Sequence, residues 1–310
     1  MANWCIKSAD ILKPYYNLLK EQMINEHIIN ADETPFLLSK DGREAGSKSY
    51  MWVYRAGAHH EEDKKIVLYD YQPTRRADHP REFLNGFKGI VMSDGYQVYH
   101  KLEKERPDEL VVAGCWAHAK RKFSEVVKAN NKNNKVGNSL SSQAIQMITK
   151  IFHETNLLDD LPYEECKKAR QTKIKLLVDQ FFEWAKKHQY EVAPKSGTGE
   201  GFTYVINQEK YLRTFLDYPE IPMTNNAAEQ AIRSFTVGRK NWVMIDTISG
   251  ADSSAILYSI VETAKANKLK IYNYINYLLE EMPKYVNKIN PEISESLLPW
   301  SKDFPKELFK

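Results

Sequence analysis

The chain has 310 residues, 42% hydrophobic and 27% charged, which suffices for a packed core and excludes a disordered or collagen-like polymer. Forty-four basic against 41 acidic residues leave a formal charge of +3, so a nucleic-acid partner has to be met by local patches, not by net charge. The longest apolar run, Leu110–Ala117, has eight residues and is too short to span a membrane. Cys5, Cys115 and Cys166 are too few and scattered for a disulfide framework, and the N-terminus lacks the charged head and apolar stretch of a secretory signal. The expectation is a cytoplasmic protein with no membrane partner.

In chain order, Ile11, Tyr15, Leu18, Leu19 and Met23 recur at helical spacing and predict a helix over 8–26. Three short strands are then expected at Ile28–Ala31, Tyr50–Tyr54 and Ile66–Tyr69, separated by Gly, Asp and Lys turn material. Pro35 is expected to limit regular pairing soon after the first strand. A short helix at Pro80–Phe87 precedes a strand, Gly89–Met92, that stops at Ser93-Asp94-Gly95; another strand, Leu110–Cys115, runs into a basic helical segment, Ala117–Val127. Strands first, then strands alternating with helices, point to a mixed α/β sheet.

Residues 121–193 read as all-helical, with apolar stripes through Ala144, Ile145, Ile148, Ile151 and Phe152 and through Ile174, Leu177, Val178, Phe181 and Trp184. They are bracketed by expected loops at Asn130–Asn134 and Pro194–Gly201. This is a helical insertion within an α/β domain. Pro219–Thr224 is a break, and the last third is helical, with Ile271, Tyr274, Ile275 and Leu278 as its clearest stripe.

Three acidic residues sit where a sheet would expose them. Asp32 follows the first strand, and Asp94 ends the fourth beside Gly95, which permits a sharp departure. Glu229 lies on a helix beginning near Thr224 or Asn225. There Ala228, Ala231, Ile232 and Phe235 form a buried face, while Asn226, Glu229 and Arg233 form a polar one. Three convergent carboxylates suit metal-assisted phosphoryl transfer, in which two hard dications about 3.5–4 Å apart activate the attacking oxygen and stabilise the leaving one. An Asp before Gly is equally what a turn requires, and a Glu on an amphipathic helix is commonly solvated, so residue types alone leave both readings open.

Cys115 and His118 have a spacing that can share a Zn²⁺, but no second pair stands at a suitable distance, and packing of Cys115 and Trp116 is the simpler account. No Gly-x-Ser-x-Gly elbow or glycine-rich phosphate loop is present. Basic and aromatic residues interleave at Lys120, Arg121, Lys122 and Phe123, and again at Arg233, Phe235, Arg239, Lys240, Asn241 and Trp242. Either cluster suits phosphate contacts and base stacking, or a solvated helix face.

The wording of the chain adds to this. Ala31-Asp32-Glu33-Thr34-Pro35, Lys48–Arg55, Tyr69–Arg75, His79–Leu84, Ser93-Asp94-Gly95-Tyr96, Cys115–Phe123, Asn225–Arg233 and Val237–Trp242 occur in that order. The series resembles the transposases of the bacterial insertion-sequence 66 family, of the DDE group, over roughly residues 1 to 285. The resemblance implies a ribonuclease-H-like mixed sheet in an α/β fold, with a helical insertion between the second Asp and the Glu and a helical C-terminal extension. The expected divisions are a lead-in at 1–27, core at 28–120, insertion at 121–200, core with the Glu helix at 201–245, and a helical region at 246–310.

It further implies that Asp32, Asp94 and Glu229 are the catalytic and metal-binding triad for two Mg²⁺ or Mn²⁺ ions, used for 3′-end cleavage and strand transfer. Arg121, Lys122, Arg233, Arg239, Lys240 and Trp242 are the expected DNA contacts; Cys115, His118, Asn225 and Asn226 are expected to be structural. The implied partners are the element's terminal repeats, target DNA, a second copy of the chain on DNA, and helper proteins of the same element. Thr224 stands where such proteins commonly carry Asp. The resemblance also implies a helix-turn-helix region upstream of the counterpart of Met1, so that this chain corresponds to a catalytic half. Two rival readings are an inactive DNA-binding or oligomerising module and a ribonuclease-H-like nuclease.

Overall fold

A computed structural model describes residues 2–44, 46–57, 64–132, 139–285 and 295–310. Helix α1 (Ala2–Ile24) leads into the strands β1 (Ile28–Lys40), β2 (Lys48–Ala56) and β3 (Ile66–Gln72). Then come α2 (Asp78–Phe83), β4 (Gly89–Ser93), α3 (Gln97–Glu105), β5 (Leu110–Gly114) and the helices α4 (Trp116–Lys132) and α5 (Leu140–Asn156). Helix α6 (Tyr163–Ala169) passes through a π-helical turn, Arg170–Ile174, into α7 (Lys175–His188). The remainder is α8 (Gly197–Asn207), α9 (Glu209–Arg213), α10 (Asn226–Trp242), the strand β6 (Met244–Thr247), α11 (Ile248–Ala266) and α12 (Ile271–Glu281).

The strands form one mixed sheet in the order β3-β2-β1-β4-β5, with β6 also beside β1. β1 pairs antiparallel with β2, and β2 with β3, whereas β6 runs parallel to β1. No helix among the described residues is long and apolar enough to cross a membrane. All three cysteines are free thiols.

Two compact units are present: Met1–Val91 with Lys101–Leu110 and Ala227–Lys310, and Met92–His100 with Val111–Asn226. In the first, one face of the sheet carries Phe36, Leu38, Met51, Val53, Val67, Tyr69 and Tyr71. They meet Ala231, Ile232 and Phe235 of α10 and Ala251 and Ala255 of α11. The alternation of inward residues along each strand produces this face. On α1 the buried stripe is Ala9, Leu12, Tyr15, Leu19 and Met23, and Tyr15 meets Tyr274 of α12 edge to face at 6.4 Å.

The outer edge of β3 is closed by side chains. The Val67 N–H donates to Thr263 Oγ1 at 3.0 Å, and that hydroxyl donates back to the Val67 carbonyl at 3.1 Å. The Tyr69 N–H donates to Ser259 Oγ at 2.8 Å, and the Tyr69 carbonyl accepts from Tyr16 at 2.9 Å. Asn267 reaches the Lys65 carbonyl at 2.7 Å. Backbone groups that a free edge would expose are thereby satisfied.

In the second unit, Trp116 is fully buried among Phe181, Phe182 and Phe215, and its indole donates to the Leu212 carbonyl at 2.8 Å. Phe123 of α4 meets Phe202 of α8 at 5.6 Å.

Several expectations change. β1 runs straight through Pro35, which pairs with Tyr50; β6 joins β1 only from Leu37, so Pro35 precedes that second ladder, where a missing N–H is tolerated. The expected loop at Pro194–Gly201 contains the start of α8. Ser196 caps it through the Gly199 N–H at 3.1 Å, and added Cβ atoms at Gly197 and Gly201 would come within 2.7 Å of Val126 and 2.8 Å of the Phe123 ring. Those glycines serve close packing on α4. Of the expected loop Asn130–Asn134, residues up to Lys132 belong to α4, while Asn133 and Asn134 lie outside the described residues. Helix α3, too polar to show a long stripe, and the four-residue β6 were not anticipated.

Candidate active site

Asp32 lies within β1 on the same face as Thr34, Phe36 and Leu38, the face that α10 covers. It is half-buried, and its Oδ1 accepts the Glu33 N–H at 2.8 Å. Glu33 turns to the opposite face and accepts from Arg75 Nε at 2.7 Å.

Asp94 is the first residue after β4, the strand next to β1 in the sheet. Its Oδ1 accepts the Tyr96 N–H at 3.2 Å, and its carbonyl accepts the Tyr204 hydroxyl at 2.7 Å. Gly95 follows at φ 94°, a backbone conformation that favours glycine, and its α-carbon packs against the end of the Gln208 side chain. Burial first, then the neighbouring Cys115 and Asp94, push the Tyr204 phenol far above its ordinary range and keep it a neutral donor. The Asp94 turn is therefore held by α8.

Glu229 occupies the first turn of α10, where the helix dipole favours a negative charge. The helix buries Ala228, Ala231, Ile232 and Phe235, and leaves Asn226 and Arg233 exposed and Glu229 half-buried, as the spacing predicts. Two sheet residues fix this end: Arg55 Nη1 donates to the Ala227 carbonyl at 3.1 Å, and the Tyr69 hydroxyl to the Ala231 carbonyl at 2.5 Å. Asp32 and Glu229 belong to the first unit and Asp94 to the second.

The basic residues also divide. Arg233, Arg239 and Lys240 lie along α10; Arg239 donates to Thr34 Oγ1 at 2.9 Å and to the Pro35 carbonyl, which ties it to β1. Trp242 packs its ring on Phe235 at 5.3 Å and joins the sheet-face core. Arg121 and Lys122 are exposed on α4; Arg121 lies 3.2 Å from His118 Nε2, and the Lys122 ammonium is 5.8 Å from the Tyr204 ring. Cys115 and Asn225 are fully buried, and the Asn225 N–H donates to Cys115 Sγ at 3.1 Å. Sequence reasoning missed the positioning groups Arg55, Tyr69, Tyr204 and Gln208; the one signal available was an arginine closing an otherwise aromatic and aliphatic strand.

Carboxylate oxygens are hard donors, suited to Mg²⁺ or Mn²⁺ more than to softer ions. Asp32 and Asp94 each accept a backbone N–H, which orients the carboxylate.

Compared with known proteins, residues 1–253 match the family described as "Transposase IS66 family". The chain is similar to three uncharacterized proteins of Sinorhizobium fredii (strain NBRC 101917 / NGR234). It is 25% identical to y4hP, covering 83% of this chain and 48% of that one. It is 26% identical to y4qI over 97% and 56%, and 24% identical to y4jD over 96% and 58%. The chain thus spans about half the length of the curated relatives it matches.

Proposed function

Because the chain belongs to the IS66 family of transposases, we propose that it is the DNA-cutting and strand-joining part of such an enzyme, built on a ribonuclease-H-like core. The reading is carried by one coincidence. The family match contains all three acids, and two of them, Asp32 and Asp94, stand on β1 and directly after its sheet neighbour β4. Asp32, Asp94 and Glu229 would hold two divalent ions. When bound, Mg²⁺ or Mn²⁺ supplies Lewis-acid activation of the attacking oxygen and neutralises charge at the scissile phosphate.

The chain's own groups do the rest. The β1 ladder and the Tyr204-anchored turn hold the two Asp carboxylates, and Arg55 and Tyr69 hold the helix end that carries Glu229. Arg233, Arg239 and Lys240, with Arg121 and Lys122, place backbone phosphates without reading sequence. DNA is the partner, as terminal repeat and as target, and a second copy of the chain on DNA completes the assembly.

The test is nicking of terminal-repeat DNA with Mg²⁺ present or chelated. Wild type is expected to nick only with metal, and Asp94→Asn and Glu229→Gln are expected to fall to background while melting normally. Variants that cut as well as wild type would overturn the triad, and DNA binding with no cleavage under any metal would overturn the enzymatic reading.

A further inference from the structure

We propose that a groove between the distal half of β1 and the end of α10 receives an unpaired nucleotide of the DNA strand. The proposal rests on the DNA reading above and adds a binding mode to it. The groove is about 480 Å³ and lies within the first unit. Its apolar floor is Pro35, Phe36, Leu37 and Val243, and its rim is Lys48, Arg239 and Lys240; no acidic side chain is among its described lining residues. Leu37 and Val243 are 39% and 59% exposed, and Met244 continues the apolar surface beyond them.

Val243 marks this place a second time. It stands at φ 64°, in the left-handed region, just past the end of α10, with its N–H on the Arg239 carbonyl at 2.8 Å. A helix ending of this kind ordinarily takes glycine or asparagine, and a β-branched side chain there is strained. Strain kept in place of an easily available glycine points to a use for the side chain itself. Here it supplies the lip of an apolar groove.

The occupant follows from charge and shape. Three cations and no acid call for a polyanion. An intact duplex offers a protein surface its phosphates and groove edges, which leave an apolar concavity unfilled. An unstacked base has an apolar face for Leu37 and Val243, and its flanking phosphates meet Lys48, Arg239 and Lys240. Pro35 is three residues beyond Asp32 on β1, about 10 Å at the rise of a strand, so the groove lies within a few nucleotides of the cutting site.

The experiment measures binding of the full chain, metal chelated, to a fully paired duplex and to the same duplex with three unpaired nucleotides at one 3′ end. Wild type is expected to prefer the frayed duplex. Val243→Gly and Leu37→Gln are expected to reduce that preference about tenfold, with paired-duplex affinity unchanged. Val243→Gly is expected to melt no lower than wild type, so a loss of preference in it is not a folding defect. A preference that survives both substitutions overturns the proposal, as does a change of oligomeric state in either variant, which would make the groove a contact between copies. Binding of both duplexes without preference overturns the groove alone, whereas failure to bind any DNA overturns the DNA reading with it.

Discussion

Asp70 on β3 lies opposite Trp52 of β2, on the sheet face away from α10. Its carboxyl is pushed up to about 6, by burial above all; the Gln72 amide and Lys20 pull it down, and Asp252 and Glu82 raise it. Between about pH 4 and pH 6 the folded chain therefore holds a proton that the unfolded chain has released, so stability falls as pH rises through that window. Above it the full cost of the buried charge is present, of order 3 kcal/mol. Asp70→Asn is expected to be more stable than wild type by about that amount at pH 7.5 and nearly equal to it at pH 4, as urea unfolding at the two pH values will show. Asp70 drew no notice in the sequence because its motif, Tyr69–Arg75, does not say which side of the strand is covered. Asp32, Asp94 and Glu229 could be singled out, since each has a local mark in the sequence: a β-rich run ahead of a proline, although the strand in fact continues through it, a strand before glycine, and the opening turn of an amphipathic helix. Arg55 and Tyr204 could not, because their partners are backbone carbonyls far away in the chain, at Ala227 and Asp94.

The elements were legible to the extent that their signals are local. The buried face of α10 follows from spacing alone, and β2, β3, β4 and β5 from short apolar, β-branched and aromatic runs bounded by turn residues. Pro35 misleads because its effect depends on whether a neighbour needs its N–H, which is a property of the sheet and not of the strand. Gly197, Gly199 and Gly201 mislead for a related reason: three glycines in five residues read as a loop, yet contact with Val126 and Phe123 excludes larger side chains at two of them. The side-chain closure of β3 is likewise tertiary. Thr263→Val keeps the shape and removes the hydroxyl that both accepts from and donates to Val67. The expected cost is about 1–3 kcal/mol, read as a lower urea midpoint with an unchanged slope.

At the scale of the whole molecule a formal charge of +3 conceals where the cations are. Arg121 and Lys122 belong to one unit, and Arg233, Arg239 and Lys240 to the other. If each meets a phosphate, the dependence of log affinity on log salt loses about 0.9 per residue removed. Arg121→Ala with Lys122→Ala is therefore expected to flatten the slope by about 2, measured by anisotropy across a salt series, and an unchanged slope would remove α4 from the DNA contacts. The longest strand, β1, ties these observations together. It carries Asp32 and the core residues Phe36 and Leu38 on one side of the same two-residue rhythm. An insertion or deletion of one residue between Asp32 and Phe36 would thus set the carboxylate and the packing against each other, with one of them turned to the wrong side. Insertion or loss of a single codon there keeps the reading frame yet reverses that parity, so in this strand the carboxylate and the packed side chains answer to one spacing.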